Sequence, residues 1–188
     1  MALHFSKKEF LKRKQDVLNL MSQKNLDALL MFRQESMYWL TGYDTFGYVF
    51  FQTLILNKNG DIILLTRAPD LRQAQNTSNI EDIRIWIDQD GINPTDDLKQ
   101  ILNELNLQSK KIGIEYEAYG MTGRNAIKLN KSLENYCIVE DQSELITKLR
   151  VIKSSEELIF VRKAAELADR ALDEAWKHAK SGVSEAKF

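Results

Sequence analysis

The chain has 188 residues, 44% hydrophobic and 28% charged, enough for a sizeable core beneath a solvated surface. Its formal net charge of −1, with Lys and Arg scattered along the chain, gives no electrostatic reason to expect nucleic acid or an anionic membrane as partner. With 8 Gly and 2 Pro it is not a low-complexity chain; the single Cys137 excludes an internal disulfide and points to a reducing compartment, the cytoplasm.

The opening MALHFSKKEF lacks the apolar segment of a signal peptide. Ser6 and Glu9 have capping-box spacing and Phe5 and Phe10 stand at staple positions, predicting a helix over 7–24 with Phe10, Val17, Leu20 and Met21 near one face. DALLMF (27–32) suits a strand covered on both faces, and Ser36 to Leu40 a helical turn. YVFFQTLIL (48–56) and DIILLT (61–66) flank NKNG, a hairpin signal. A helix over 68–75 then carries Pro69 in its first turn, where a missing N–H is harmless. IRIWI (83–87) alternates as a strand does, and Pro94 opens a helix that buries Leu98, Ile101, Leu102 and Leu105. KIGIEY (111–116) reads as a strand, Thr122 caps a helix to about Leu133, and YCIVE (136–140) is a strand. This alternation predicts an α/β domain over 1–140, a sheet flanked by helices.

Asp141 and Glu144 start a short helix through Leu149, inside a linker spanning 141–154. A second capping box, Ser154 with Glu157, then opens a long helix. On it Leu158, Val161, Ala165, Leu172 and Trp176 recur at roughly helical spacing, and Gly182 stands as the residue just past its end. Ser184 begins a further helix of which only one turn follows, so the sequence reads as part of a longer chain. The stripe of Val161, Leu172 and Trp176 is then expected to pack against chain beyond it.

Chemistry-bearing clusters are scarce. His4 and His178 have no carboxylate, Cys or second His at metal-ligand spacing, so neither a metal site nor a catalytic residue is assigned. Glu115 and Glu117 share one face of a strand end; with no third group nearby in sequence, two solvated or hydrogen-bonded carboxylates are the plainer reading. Cys137 reads as a buried thiol, and GMTGR (120–124) as a turn into the Thr122-capped helix, since it lacks the rest of a phosphate loop. The densest stretch is YWLTGYDTFGYVFF (38–51). Its Tyr38, Trp39, Val49 and Phe51 suit a core, whereas Tyr43, Asp44 and Phe46 lie in a loop between Gly42 and Gly47. That loop, 43–47, is expected to be exposed and to face a substrate or another subunit.

Two stretches in register carry a family likeness: LDALLMFRQESMYWLTGYD (26–44) and LITKLRVIKSSEELIFVRKAAELADRALDEAWKHAKSGVSE (145–185). Together they resemble the amino-terminal domain and interdomain junction of the creatinase, prolidase and Xaa-Pro aminopeptidase family, over essentially the whole chain. The resemblance implies a mixed sheet flanked by helices, followed by a pita-bread catalytic domain that begins with the helix from 155 onward. It also implies two divalent metal ions (Mn, Co or Zn), held by two Asp, one His and two Glu that lie beyond Phe188. In such a protein this segment is non-catalytic and serves homodimerisation and substrate selection, the substrate being a small peptide or a small amide or amidine. Members of the family with degraded metal sites act instead as protein-interaction modules, the alternative reading. The loop bearing Tyr43, Asp44 and Phe46 corresponds to one near the dimer interface, but the neutral Gln52 and its neighbours lack the basic residue of the creatinase pattern.

Overall fold

The computed structural model describes residues 3–184 and 186. The chain divides into two compact units, Met1–Val151 and Ile152–Phe188. In the first, α1 (Lys7–Gln23) starts where the Ser6 hydroxyl accepts from the Glu9 N–H at 3.1 Å, and the rings of Phe5 and Phe10 meet edge to face. The buried Arg13 anchors this helix. It donates to the Glu9 carboxylate at 3.0 Å and to the Trp39 carbonyl at 2.8 Å, with its guanidinium 4.1 Å from the Phe5 ring centre. A buried charge is tolerable only when paired in this way.

Six strands form one mixed sheet in the order β4-β3-β2-β1-β5-β6: β1 (Ala28–Met31), β2 (Thr53–Asn57), β3 (Ile62–Arg67), β4 (Asp82–Trp86), β5 (Lys111–Ile114) and β6 (Ile138–Asp141). β1 pairs antiparallel with β2 and parallel with β5, and every one of its residues is buried. Ala28 and Leu30 enter one apolar cluster and Leu29 and Met31 the other, so both faces of the strand are covered. NKNG makes the β2–β3 hairpin, with Gly60 at φ +92°. One face of the sheet carries α4 (Pro94–Glu104) and α5 (Gly123–Leu133, capped by Thr122); the other carries α1, α2 (Gln34–Thr41), α3 (Leu71–Thr77) and α6 (Leu145–Val151).

Several boundaries differ from the sequence reading. β2 begins at Thr53 rather than Tyr48, because Tyr48–Phe50 form a turn closed by the Phe50 N–H on the Gly47 carbonyl at 2.9 Å. Trp39 and Phe51 are core as expected, but Val49 is exposed on that turn and Tyr38 only partly buried. The segment 141–151 is not a free linker: Leu145 and Ile146 are buried in the cluster with Val17 and Met37, and the first unit extends to Val151. In the second unit α7 (Ser155–His178) has both halves of its capping box, but it ends at His178 with Ala179 as its C-cap. Gly182, at φ +87°, belongs to a separate turn after it. No residue of α7 is buried, and Trp176 is 70% exposed. The helix expected after Ser184 falls mostly on 185, 187 and 188, outside the described residues.

The centre of the first unit is tied by one side chain. Glu115, directly after β5, is fully buried. Its carboxylate accepts from the N–H of Phe32 at 3.0 Å, the N–H of Arg33 at 3.1 Å and the Ser36 hydroxyl at 2.6 Å. It thereby joins the end of β5 to the end of β1 and the start of α2. Burial raises this carboxyl to about 7, against the three hydrogen bonds that favour its ionised form. A carboxyl raised in the folded state stabilises most below its unfolded value of 4.5, and that contribution is lost as pH rises through about 7. Glu115→Gln imitates the protonated acid, its oxygen accepting from the two N–H groups and its amide donating to Ser36. Denaturant unfolding at pH 5 and pH 8 should therefore show the native chain losing about 2–3 kcal/mol relative to Glu115→Gln over that interval. An unchanged difference would mean that Glu115 does not titrate there. A second test concerns Gly120, where a Cβ would lie 2.3 Å from the Phe50 carbonyl oxygen. Gly120→Ala should lower stability by roughly 1–3 kcal/mol, read from the same unfolding curves.

Candidate functional site

β1 and β5 are adjacent and parallel, yet the chain leaves them in opposite directions. After β1 it enters α2, whose Met37, Trp39 and Leu40 join the cluster containing Val17 of α1. After β5 it leads to α5, whose Leu129 and Leu133 join the cluster on the other face. Where successive connections part in this way, a crevice opens beyond the carboxyl ends of the strands. Here it is a cleft of about 440 Å³, lined by Phe32, Arg33, Gln34 and Glu35 after β1 and by Tyr116, Glu117, Ala118 and Tyr119 after β5. Tyr48 closes one side.

The charges in this cleft are arranged in layers. Glu115 lies beneath it, saturating the backbone donors at the start of α2. Arg33 lies along its wall, donating to the Glu117 carboxylate, to the Glu117 carbonyl at 2.5 Å and to the Thr147 hydroxyl of α6 at 2.7 Å. The carboxylates that share a strand end in the sequence are thus split: Glu115 points into the core and Glu117 into an ion pair. They are not an acid/base couple. Tyr116 donates to the Asn130 side chain at 2.5 Å, and burial raises its phenol above the ordinary value. The rings of Tyr48 and Tyr119 meet edge to face with centres 5.6 Å apart, and Tyr119 is 72% exposed.

The loop from Tyr43 to Phe50 borders this cleft through Tyr48. Tyr43, expected on the surface, is instead fully buried. Its hydroxyl donates to the Gln52 side chain at 3.0 Å, and Gln52 also receives the Thr66 hydroxyl at 3.2 Å and donates to Thr45 at 3.3 Å. With its polar tip satisfied, the ring can be buried cheaply. Asp44 and Phe46 are exposed, as expected. Their backbones are nevertheless held: the Asp44 N–H donates to Thr77 at 3.2 Å and the Phe46 N–H to the Gln73 side chain at 3.2 Å. Gly47 backs onto Asp70, whose carboxylate would lie 2.5 Å from any Cβ there. Asp70 is in turn bonded by Arg67 at 3.0 Å, and the Arg67 guanidinium sits 3.4 Å from the centre of the Phe50 ring. The Phe46 ring, 86% exposed, therefore projects from a fixed backbone.

Sequence reasoning missed the cleft residues Arg33, Glu35, Tyr116 and Tyr119. Their only signal is position, immediately after two strands that turn out to be parallel neighbours. Among the described residues no group of three or more His, Cys, Asp or Glu side chains converges as a metal site. His4 faces the Tyr38 hydroxyl at 2.6 Å, His178 the Glu174 carbonyl of its own helix at 2.8 Å, and Cys137 is half-buried with its thiol raised by burial. These residues do not fit a dinuclear metal centre, and no reaction step is assigned to them.

Residues 13–152 match the family model for the creatinase/prolidase N-terminal domain. The chain is 28% identical to an uncharacterized hydrolase/peptidase of Sinorhizobium fredii, over 96% of this chain and 48% of that protein. It is 26% identical to the ectoine hydrolase of Halomonas elongata, over 88% of this chain and 43% of that protein. A dipeptidase structure from Pyrococcus horikoshii superposes with a TM-score of 0.74 at 26% identity, covering 93% of this chain and 46% of that one. The chain spans about half the length of the curated relatives it matches. No helix among the described residues is long and apolar enough to cross a membrane. By its family match and its fold, this chain belongs to the creatinase/prolidase N-terminal domain family.

Proposed function

We propose that the domain is the non-catalytic partner within a dinuclear-metal C–N hydrolase, Xaa-Pro dipeptidase-, aminopeptidase- or creatinase-like. It would serve homodimerisation and substrate selection for a small peptide or a small amide or amidine, in the cytoplasm. The hydrolytic metals, Mn, Co or Zn, belong to residues other than those described here. Relatives with hydrolase and dipeptidase names support the reaction class.

Phe46 carries the rest of the reading. A phenyl ring left in water forgoes roughly 1.5–3 kcal/mol of burial. Here the backbone that displays it is fixed by Thr77, Gln73 and Asp70. A pre-ordered ring loses little further entropy when a partner covers it, which suits a contact residue. Asp44 beside it offers an acceptor to a cationic or amide group. Tyr43 supports the loop from inside and is not itself a contact.

In the protein that carries this domain, Phe46→Ala should lower kcat/KM on an Xaa-Pro dipeptide about tenfold, or about 1.4 kcal/mol. Its melting temperature should hardly move, because the ring makes little contact within the domain. Mixed dimers locate the effect. A mutated loop should impair the wild-type partner's active site more than its own; activity that follows only the mutated subunit excludes action across the interface. A protein with no hydrolysis of such substrates but loop-dependent association with another protein would be the interaction module instead.

A further inference from the structure

The cleft between the ends of β1 and β5 has a chemical character of its own, separate from the hydrolase reading. An anion entering it would look for the N-terminus of α2 and for Arg33. Both are taken. The N–H groups of Phe32 and Arg33 and the Ser36 hydroxyl are bound by Glu115, and the Arg33 guanidinium by Glu117 and Thr147. What remains is the Glu35 carboxylate, with no ion pair among the described residues, and the tyrosine rings of the wall. An edge-to-face pair covers one of its four ring faces, so Tyr48 and Tyr119 keep π-surface for another group. The charged groups that line the cleft, Arg33, Glu35 and Glu117, sum to one negative charge.

We propose that this cleft binds an organic cation, an alkylammonium group seated against Tyr48 and Tyr119 with Glu35 as its counter-charge. Aromatic faces attract weakly hydrated cations through the ring quadrupole, and a nearby carboxylate adds the Coulomb term. A hard divalent ion fits poorly, since it needs several oxygen ligands and Glu35 is the one carboxylate of the lining without a cationic partner. The volume, about 440 Å³, is in the range of sites for small molecules of dipeptide size. Two sources supply the same chemistry: the amino terminus of a small peptide and a free alkylammonium compound.

The test is a titration of the 188-residue chain followed by NMR of its tyrosine and Glu35 signals, with tetramethylammonium, Gly-Pro, N-acetyl-Gly-Pro and sodium sulfate as probes. Saturable shifts confined to the cleft are expected with at least one of the two cations, and none with acetylated peptide or sulfate. Response to Gly-Pro alone identifies a peptide amino terminus; response to tetramethylammonium identifies an alkylammonium compound. Glu35→Gln and Tyr119→Leu, both away from the core, should each weaken binding at least fivefold and leave the fold unchanged by backbone amide shifts. Equal binding of Gly-Pro and its acetylated form, binding of sulfate, or cation binding insensitive to both substitutions would overturn the proposal. Because the readout is binding to this chain, that result would leave the hydrolase reading standing, and absent hydrolysis would leave this one standing.

Discussion

A carboxylate with no access to water holds the middle of this domain together. β1 and β5 pair in parallel over only three residues of register before the two chains separate. The separation exposes the N–H groups of Phe32 and Arg33, which no strand can satisfy once the sheet has ended. Glu115 supplies the acceptors, and in doing so fixes the angle at which α2 leaves the sheet. Arg33 is then directed along the cleft wall to Glu117 and Thr147, so the position of α6 also follows from it. Desolvation makes this arrangement expensive, as the raised protonation value of Glu115 shows. Three hydrogen bonds offset that cost only while α2 stays in place, which couples the first turn of the helix to the integrity of the sheet.

The same economy governs the aromatic loop. A segment holding Tyr43, Phe46, Tyr48 and Phe50 could collapse onto the core in several ways. Polar contacts choose one: Gln52 collects the hydroxyls of Tyr43 and Thr66 and bonds Thr45, and Asp70 fills the space beside Gly47. Buried polar groups with all partners present favour a unique arrangement over a fluid one. The apolar rings supply area, and the polar atoms decide which ring turns inward.

Much of the fold was legible in the sequence because its signals are local. Ser6 with Glu9, Thr122 with Asn125, and Ser154 with Glu157 are caps within four residues of chain, and NKNG sets a hairpin by itself. The candidate site was less legible because it depends on contacts across long stretches of sequence. Tyr43 goes against the sequence reading because its partners are distant in sequence, Gln52 just before β2 and Thr66 on β3. The late start of β2 reflects the Tyr48–Phe50 turn, whose Phe50 N–H closes on Gly47, itself packed against Asp70 23 positions away, a spacing with no periodic trace. Glu115 and Glu117 were grouped by alternation, whereas the sheet ends at Ile114 and alternation ends with it. The family likeness gave the architecture that periodicity alone left open.

Gly47 and Gly120 show how such a loop can diversify. The space beside Gly47 is occupied by the Asp70 carboxylate beneath the loop, and the space beside Gly120, after β5, by the main-chain carbonyl of the loop's own Phe50. Neither restriction involves the outward groups at 44, 46 or 49. Inheritance can therefore hold two positions constant and exchange the outer three with little effect on folding. A surface of this kind can acquire a new recognition property one substitution at a time, each intermediate remaining a folded domain.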